Sequence, residues 1–594
     1  MKKRSFLTSL ASLASLALTH SAWAAKALMR RVRPLDAAWP APQAWDQLRT
    51  AVGGRLIKLE LPFAACDSAP ACAAAFSALK DPYYIRDEPA LTQSMGWAGA
   101  WTSSPSAYAL ACAGTQDVVA AVNFARLHKL RLVVKGGGHS YQGTSNAPDS
   151  LLVWTRQMDA VTMHEAFVGH GCKQAPVAAV TVGAGAIWMH TYNAVTSKGG
   201  RYVQGGGCAT VGVAGLIQSG GFGSFSKQYG LAAASLLEAE VVTADGQVRI
   251  ANACTNPELF WALKGGGGGS LGIVTKVTLR THELPEFFGV VRTRIKASSG
   301  DAYRRLIAKA MAFYAGSLHN CHWGEQMAFN AENVLGVSMV FQGLDKQQAT
   351  AIWQPFFDSI AQTPQDYSYE AAPTVLALPS RKLWDPVFLK SLPGVVKADA
   401  RPGAPLENVF WSANEGEAGQ FLQGFQSAWM PASLLEIGQQ QRLADSLFKA
   451  SRAWEFSLHF NKGLAGAPPE ALRAAADTAT NPLVLGAFAL AICAAEENGV
   501  HPQVAGRAPD LAAARRAADA IGKAMDALRA IIPEIGSYVS ESDYFEKNWQ
   551  RSFWGPNYPR LLAAKRKYDP DGLFFVHHGV GSEAWSADGF TRLA

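Results

Sequence analysis

Apolar positions between residues 115 and 279 follow two spacings in turn, one helical and one typical of strands. Between Thr115 and His128 they fall at Val118, Val122 and Ala125, which predicts a helix with Thr115 as its N-cap. Strands are predicted at 130–135, 151–154, 180–182 and 273–279, a hairpin at 238–251, and further helices at 187–197 and 256–264. This part of the chain is therefore predicted to have α+β structure.

The pattern changes after Pro285. Long helical stretches with a few strands continue to about residue 530, and Leu511–Ile531 predicts a helix rich in Ala and Arg. From Gly536 the chain becomes aromatic and turn-rich again. We predict an N-terminal extension at 25–100, a cofactor-binding domain at 101–285, a substrate domain at 286–530, and a C-terminal segment at 531–594 that returns to the cofactor domain.

The first 24 residues predict a signal peptide. Lys2, Lys3 and Arg4 precede an apolar run, and Ala22-Trp23-Ala24 matches a cleavage site. The Lys3–Leu7 segment also resembles the twin-arginine export signal, with lysine in place of the first arginine. We expect export to the periplasm or the medium, with no membrane insertion once the signal is removed.

Composition excludes some functions. The net charge of +7 includes three charges of the signal peptide, and no basic stripe is present, so nucleic-acid binding is not expected.

The eight cysteines should partly pair in an oxidising compartment, and Cys66 and Cys72, which flank a turn-like stretch, are the first candidates for a local disulfide.

Two glycine runs each end in a nucleophilic side chain: Gly136-Gly137-Gly138-His139 and Gly205-Gly206-Gly207-Cys208. Glycines let backbone N–H groups approach a phosphate or a ring system closely. A histidine alone is usually structural and a cysteine alone is usually core or disulfide. Their joint occurrence after glycine trios predicts a bound flavin to which both side chains are bonded.

Two other motifs are weaker. Gly267, Gly269 and Gly272 match a nicotinamide-binding pattern, but a helix precedes them and a strand follows, which inverts the required context. Residues 138–143 approach the nucleophile elbow of serine hydrolases around Ser140, but the last glycine comes one residue late. His577-His578 has no carboxylate or cysteine at ligand spacing, so no metal site is predicted.

The glycine-run motifs resemble those of the berberine bridge enzyme-like flavoproteins, which belong to the vanillyl-alcohol oxidase/p-cresol methylhydroxylase superfamily. The matching segments are Lys135–Ser140, Cys208–Gly215, Gly220–Gly223, Leu263–Gly267, Leu271–Thr275, Trp554–Leu561 and Lys565–Pro570. The resemblance covers about 105–280 and 536–580. It implies a two-lobed FAD-binding domain and an α+β substrate domain with an antiparallel sheet.

The resemblance also implies roles for individual residues. His139 would bond the flavin 8α-methyl carbon and Cys208 the C6 carbon, and a valine at 211 would leave room for oxygen over the ring. The FAD-binding residues it implies are Gly136, Gly137, Gly138, His139, Ser140, Cys208, Val211, Gly212, Gly215, Gly221, Gly272, Ile273, Asn557 and Tyr558. Asn557 and Tyr558 would contact the ring or fix the C-terminal segment.

Substrate oxidation needs a proton acceptor. Tyr538 lies in a segment that resembles a family motif near the flavin, and it can act as a base if a cation lowers its pKa. Tyr141 and Glu541 are weaker candidates, and 459–462 would form either a substrate wall or an exposed sheet face.

The predicted function is an exported FAD-dependent oxidase that acts on a bulky small molecule such as a sugar, an alkaloid or a polyketide, with O2 as acceptor. Three alternatives stay open: the same flavoprotein with another electron acceptor, a flavin-containing binding protein without turnover, and a secreted serine hydrolase.

Overall fold

The computed structural model describes residues 29–66 and 69–593, so the predicted signal peptide lies outside the described residues. Up to residue 285 the strands are β1 (Leu56–Lys58), β2 (Ser94–Trp97), β3 (Trp101–Thr102), β4 (Tyr108–Ala111), β5 (Arg131–Lys135), β6 (Ser150–Trp154), β7 (Val161–Phe167), β8 (Val177–Gly183), β9 (Arg201–Val203), β10 (Leu236–Val242), β11 (Val248–Asn252) and β12 (Ile273–Glu283). The α-helices are α1 (Pro42–Ala51), α2 (Ala69–Ala78), α3 (Pro82–Asp87), α4 (Thr115–Leu127), α5 (Trp188–Tyr192), α6 (Val213–Gln218), α7 (Ser226–Tyr229) and α8 (Pro257–Leu263).

Beyond residue 285 the strands are β13 (Phe287–Ala297), β14 (Trp323–Phe329), β15 (Val334–Gln342), β16 (Tyr367–Pro379), β17 (Val396–Ala398), β18 (Val409–Trp411), β19 (Gln420–Pro431), β20 (Phe456–His459) and β21 (Ala487–Asn498). The α-helices are α9 (Gly300–Phe313), α10 (Lys346–Ala361), α11 (Pro386–Lys390), α12 (Gln440–Ala453), α13 (Pro469–Ala476), α14 (Leu483–Gly486), α15 (Leu511–Arg529), α16 (Trp549–Trp554) and α17 (Tyr558–Tyr568).

Two sheets make up the first half of the molecule, which is the part formed mainly by residues up to 285. One has the order β1-β4-β6-β5, and the other runs β11-β10-β12-β8-β7 with β9 on β12. Apolar strand residues and α4 form the core around the first sheet, and Leu573 and Phe574 of the C-terminal segment pack into it. The C-terminal segment therefore returns to the first half, as predicted.

A nine-stranded sheet dominates the second half, in the order β16-β13-β15-β14-β20-β21-β19-β2-β3. Its pairs are antiparallel except β19 with β2. Helices α9, α10, α12 and α15 supply residues to the core on one face of this sheet. Strand β2 comes from the predicted N-terminal extension and β3 from the first residues of the predicted cofactor-binding domain, while β1 from the extension joins the first sheet. The extension is thus shared between the two halves.

The predicted elements recur with shifted ends, and one cap is wrong. Gly114, not Thr115, is the N-cap of α4; Thr115 is its first residue, and its hydroxyl donates to the Glu240 carboxylate at 2.6 Å. A glycine tolerates the extended cap conformation, and the threonine side chain has a better acceptor elsewhere. The helix predicted at 187–197 begins at Trp188 and continues as a π-turn to Lys198.

Lys135 is fully buried directly before the first glycine run. Its ammonium donates to the carbonyl oxygens of Ile85 (2.9 Å), Glu88 (2.7 Å) and Leu91 (2.8 Å). Three acceptors meet the three donors of the ammonium group, so its hydrogen bonds are satisfied without a carboxylate partner. This cage of carbonyl acceptors ties the end of β5 to α3 and to the chain that follows it.

A similar cage of three carbonyl oxygens surrounds the ammonium group of Lys227 on α7 and joins the two halves of the molecule. Its ammonium donates to the carbonyl oxygens of Gly463 (2.7 Å), Ala465 (2.9 Å) and Phe488 (3.1 Å). Burial lowers the pKa of Lys227 to about 7. A third buried lysine, Lys565, donates to the Ser270 and Phe574 carbonyls and to the Asp569 carboxylate. These contacts hold the C-terminal segment on the glycine-rich loop before β12.

We expect Lys227→Met to lower the free energy of unfolding by about 2 kcal/mol, because three carbonyl groups lose their donor while the cost of burying a charge is also removed. Thermal unfolding of the holoprotein measures the change. Lys449→Met, at an exposed position on α12, is the control and should leave the melting temperature unchanged. Equal melting temperatures for the two variants would contradict a role of the cage in stability.

Candidate active site

The first glycine run and the loop that follows Cys208 meet backbone to backbone. A Cβ on Gly137 would lie 2.6 Å from the Gly212 nitrogen, and a Cβ on Gly212 would lie 2.8 Å from the Gly137 nitrogen. Gly138 has φ +78°, and a Cβ there would press on the Lys135 side chain. Only glycine allows this approach, so the loops after β5 and before α6 can form one continuous surface.

That surface lines a cavity of about 980 Å³ between the two halves. Most residues predicted for the site line it: Gly136, Gly137, Gly138, His139, Ser140, Tyr141, Cys208, Val211, Gly212, Gly215, Gly272, Ile273, Tyr538 and Glu541. Of the two interpretations of 459–462, the structure agrees with the substrate wall, since His459, Asn461 and Lys462 line the same cavity.

Three predicted FAD-binding residues do not line the cavity, which corrects their assignment. Gly221 (φ +77°) has no room for a Cβ between Leu216 and Ala232, so its glycine is required by packing. The Asn557 amide donates to the Thr480 carbonyl at 2.9 Å, and the Tyr558 hydroxyl donates to the Glu583 carboxylate at 2.7 Å. Asn557 and Tyr558 thus fix the C-terminal segment, the second of their two predicted roles.

His139 is half-buried and held by Thr210. Its Nε2 lies 3.0 Å from Thr210 Oγ1, and burial lowers the pKa of the imidazole to about 4. The ring is therefore neutral near pH 7, which is its nucleophilic form. In the tautomer in which Nε2 donates to the threonine, Nδ1 keeps a lone pair for bond formation.

Cys208 is half-buried and has no disulfide partner. Burial raises the pKa of its thiol to about 12, and Glu417 adds to the increase, while hydrogen bonds from Thr210 and Val211 oppose it. The thiol is therefore protonated at neutral pH in the absence of another positive or electron-poor group. A bond to a ring would require that this environment change on binding.

The tyrosine base stays a prediction, and the condition stated for it is not met. Burial raises the pKa of Tyr538, and Glu541 raises it further. Burial likewise raises the pKa of Tyr141. The nearby cation, Lys462, is paired with the Glu541 carboxylate, with both oxygens 2.6 Å from Nζ. Lys462 is therefore not free to stabilise the anion of either tyrosine.

Glu325 is a site residue that sequence reasoning missed. It lies within β14, yet its φ is +65°, a left-handed conformation that is costly for a residue other than glycine. The turn brings its carboxylate to the cavity, with Oε1 3.7 Å from the position of a Cβ on Gly207. Nothing in the local sequence predicts a left-handed residue at this point of a strand.

The described donors to Glu325 all reach one oxygen. Ser224 Oγ donates to Oε1 at 2.5 Å and Asn461 Nδ2 at 3.5 Å, which leaves Oε2 without a donor among the described residues. Burial raises the pKa of this carboxyl. A second missed carboxyl, Glu417, also lines the cavity with a raised pKa, and it accepts a hydrogen bond from Asn414 at 2.7 Å.

His577 and His578 form part of an aromatic stack on the cavity wall. The His577 ring lies 3.7 Å from the Tyr544 ring, and its Nε2 bonds the Tyr544 carbonyl at 2.9 Å. Within residues 29–66 and 69–593 no group of three or more metal-ligating side chains is assembled. Over the same residues, no helix combines the length and apolar character needed to cross a bilayer.

Comparison with known proteins identifies the family. The family model "FAD binding domain" matches residues 106–252, and the model "Berberine and berberine like" matches 537–581. The VAO-type flavoprotein oxidase VAO615 of Thermothelomyces thermophilus is 30% identical, covering 95% of this chain and 95% of its own length. The chain belongs to the VAO-type, berberine bridge enzyme-like family of FAD-linked oxidoreductases. It is thus an FAD-dependent enzyme.

Solved structures confirm the predicted fold class. The crystal structure of the VAO-type flavoprotein MtVAO615 from Myceliophthora thermophila C1 matches with a TM-score of 0.78 and 26% identity, over 95% of this chain and 100% of that one. Glucooligosaccharide oxidase from Acremonium strictum shares the fold at a TM-score of 0.63 and 18% identity, over 90% and 99% of the chains. Its structure describes a 6-S-cysteinyl, 8α-N1-histidyl FAD.

The cavity of this FAD-linked oxidoreductase fits a dinucleotide. Glycines without space for a Cβ form one wall, and the buried Ser270 Oγ on the lining has no partner among the described residues. Unpaired hydroxyls in such a position are expected to meet ligand groups. The residues present therefore suit FAD along the two loops.

We expect Gly137→Ala to reduce FAD content at least tenfold, because its Cβ would collide with the backbone at Gly212. The ratio of flavin to protein absorbance in purified protein measures this. Gly486→Ala, where a Cβ meets nothing within 4 Å, is the matched control. Wild-type FAD content in Gly137→Ala would show that the contact between the loops is not needed for binding.

Proposed function

We propose that this protein is an exported oxidase that takes hydride from a carbon bearing a hydroxyl or amine in a bulky substrate and reduces O2 to H2O2. One observation carries the proposal. A single cavity joins His139 and Cys208 to Glu325, a carboxylate held there by a left-handed backbone. The two residues proposed to bond the flavin and the proposed proton acceptor thus line the same cavity, as substrate oxidation requires.

We further propose that FAD is bonded to both His139 and Cys208. Support comes from the glycine loops that present both side chains to one cavity, and from the two linkages described for the oxidase of A. strictum. When His139 Nε2 donates to Thr210, Nδ1 is the nitrogen left for the bond to the flavin. Two tethers on neighbouring loops hold a ring without clamping both of its faces, which leaves the substrate side roomy.

FAD, when bound, supplies a two-electron acceptor that takes up hydride and passes electrons to O2. Glu325 is the proposed proton acceptor. Its raised pKa makes it a stronger base than an exposed carboxylate, and Oε2 is the oxygen with capacity to accept. Lys462 holds Glu541 and adds positive charge near the reacting group. Val211 on the lining leaves space at the ring for O2.

Export is proposed on two grounds. Besides the signal-like N-terminus, the structure contains two disulfides, the predicted Cys66–Cys72 and an unpredicted Cys172–Cys254. Disulfides persist in oxidising compartments, which supports a location in the periplasm or outside the cell. The twin-arginine-like signal would suit a protein that receives FAD before export.

The linkage proposal predicts flavin on two peptides of the digested wild-type protein. His139→Ala should keep flavin only on the Cys208 peptide, and Cys208→Ala only on the His139 peptide, as measured by peptide mass spectrometry. In the double variant the yellow colour should be released by acid. Colour released from the wild-type protein would show that the cofactor is not covalently bound.

The oxidase proposal predicts that the two half-reactions respond to different residues. In anaerobic stopped-flow with an alcohol or sugar found by flavin bleaching, Glu325→Gln should slow flavin reduction by about 10²–10⁴-fold. In the wild-type protein this rate should fall as pH is lowered through the raised pKa of Glu325, because the base must be ionised to accept a proton. Mixing reduced protein with air should restore the oxidised spectrum rapidly, and Val211→Leu should slow only that step.

Glu546→Gln is the control, since Glu546 also has a pKa raised by burial but does not line the cavity. It should change neither half-reaction. Slow reoxidation of the wild-type protein in air would favour a dehydrogenase with another electron acceptor. Full reduction rates in Glu325→Gln would transfer the role of base to another group.

A further inference from the structure

The edge strand β16 is apolar on both faces next to the cavity. Val375 and Ala377 pack against the core of the second half. Leu376 and Leu378, at the alternate positions, line the cavity instead, and Leu376 is 50% exposed. An edge strand with one face toward water normally places polar residues on that face. An apolar face at this place indicates a surface shaped for a ligand.

The apolar character continues across the sheet. Leu376 pairs with Val290 on β13, and Val290 pairs with Val340 on β15; all three line the cavity. Paired residues of neighbouring strands lie side by side on one face. They form the apolar row of this wall, defined as Leu376, Val290 and Val340. Leu392 and Val395, from the chain after α11, line the same cavity near it.

Two residues further along the strands, the same face is polar. Arg292 pairs with Ser338, Ser338 with Gln326, and Gln326 with His459, and all four line the cavity. This polar row ends beside Lys462 and the carboxylates, which are the reacting groups of the proposed oxidase. Its outer end is the exposed Arg292, whose charged head can stay in water. The wall therefore carries two adjacent rows that run across the strands, one apolar and one polar.

We propose that the substrate is an amphiphilic alcohol, with an extended hydrocarbon body on the apolar row and its hydroxyl-bearing carbon at the inner end of the polar row. This inference rests on the proposed oxidase function and narrows its substrate. An oligosaccharide carries hydroxyls along its whole length. On the apolar row they would lose water without gaining partners, which is costly.

The test is a homologous series bound to the holoprotein. Kd values of hexan-1-ol, octan-1-ol and decan-1-ol are measured from the concentration dependence of the rate of flavin reduction without oxygen, or from the perturbation of flavin absorbance for a compound that does not reduce it. Cellobiose is the polar comparison. Each added methylene should lower Kd about threefold to fourfold. Cellobiose should bind more weakly than decan-1-ol by at least tenfold.

Matched variants locate the effect. The double variant Leu376→Ser/Leu378→Ser should flatten the dependence on chain length and raise the Kd of decan-1-ol on the order of tenfold. Leu406→Ser, at a leucine that is 72% exposed and does not line the cavity, should behave as wild type. Because both sites are at the surface, flavin content serves as the check that each variant folds.

A flat series in the wild-type protein, cellobiose binding tighter than decan-1-ol, or an unchanged series in the double variant would overturn the substrate class. These outcomes are separable from failure of the oxidase proposal. Reduction by dithionite followed by rapid reoxidation in air shows a working flavin and O2 reaction whatever the alcohols do. A protein whose reduced flavin persists in air would fail the oxidase proposal even if the alcohols bind as expected.

Discussion

Buried ammonium groups that donate only or mainly to main-chain carbonyls hold this molecule together around its cavity. Lys135 fixes the first glycine run, Lys227 links α7 to the chain after β20, and Lys565 holds the C-terminal segment against the loop before β12. Each ammonium group donates to three acceptors, at least one of which lies more than forty positions away in sequence. Because a carbonyl cannot rotate away without leaving the charge unpaired, each cage fixes backbone as well as side chain. The hydrogen bonds of these three lysines thus fix the positions of the cavity walls, although the ammonium groups donate to protein atoms and not to a ligand.

Inside the cavity, carboxyl groups outnumber the cation that lies among them. Three carboxyls, those of Glu325, Glu417 and Glu541, line it with Lys462 among them. Lys462 is paired with Glu541, and burial raises the pKa of the other two, although Glu325 accepts a hydrogen bond from Ser224 and Glu417 accepts one from Asn414. The cavity therefore holds one carboxyl fixed by an ion pair and two carboxyls whose burial favours the protonated form. Lys462, the cation beside these carboxyls, is therefore not free to stabilise a tyrosinate.

The sequence predicted one wall of the cavity far better than the other. The loops at 136–140 and 208–215 are local: their glycines, His139 and Cys208 are contiguous, so the motif and the geometry coincide. Glu325 could not be found that way, since its role depends on a left-handed residue within a strand and on a partner, Ser224, about a hundred positions away in sequence. The predictions that Gly221, Asn557 and Tyr558 contact the FAD differ from the observed cavity lining for another reason. They belong to segments that resemble the family, but a motif does not reveal whether a residue faces the cofactor or packs behind it.

This difference between the walls has a consequence for how activity and specificity are encoded. The first wall comes from contiguous glycine loops, and its chemistry is readable from residue types. The second wall is one face of the nine-stranded sheet, where Leu376, Val290 and Val340 become neighbours only through strand register. A shift of register by one residue would exchange this face with the core face, so the apolar row is as strongly specified as the core behind it. Side chains on the row can nevertheless change without disturbing the flavin loops. Substrate choice can therefore vary at these positions while the glycine loops of the other wall, and Glu325 on β14 of this sheet, stay unchanged.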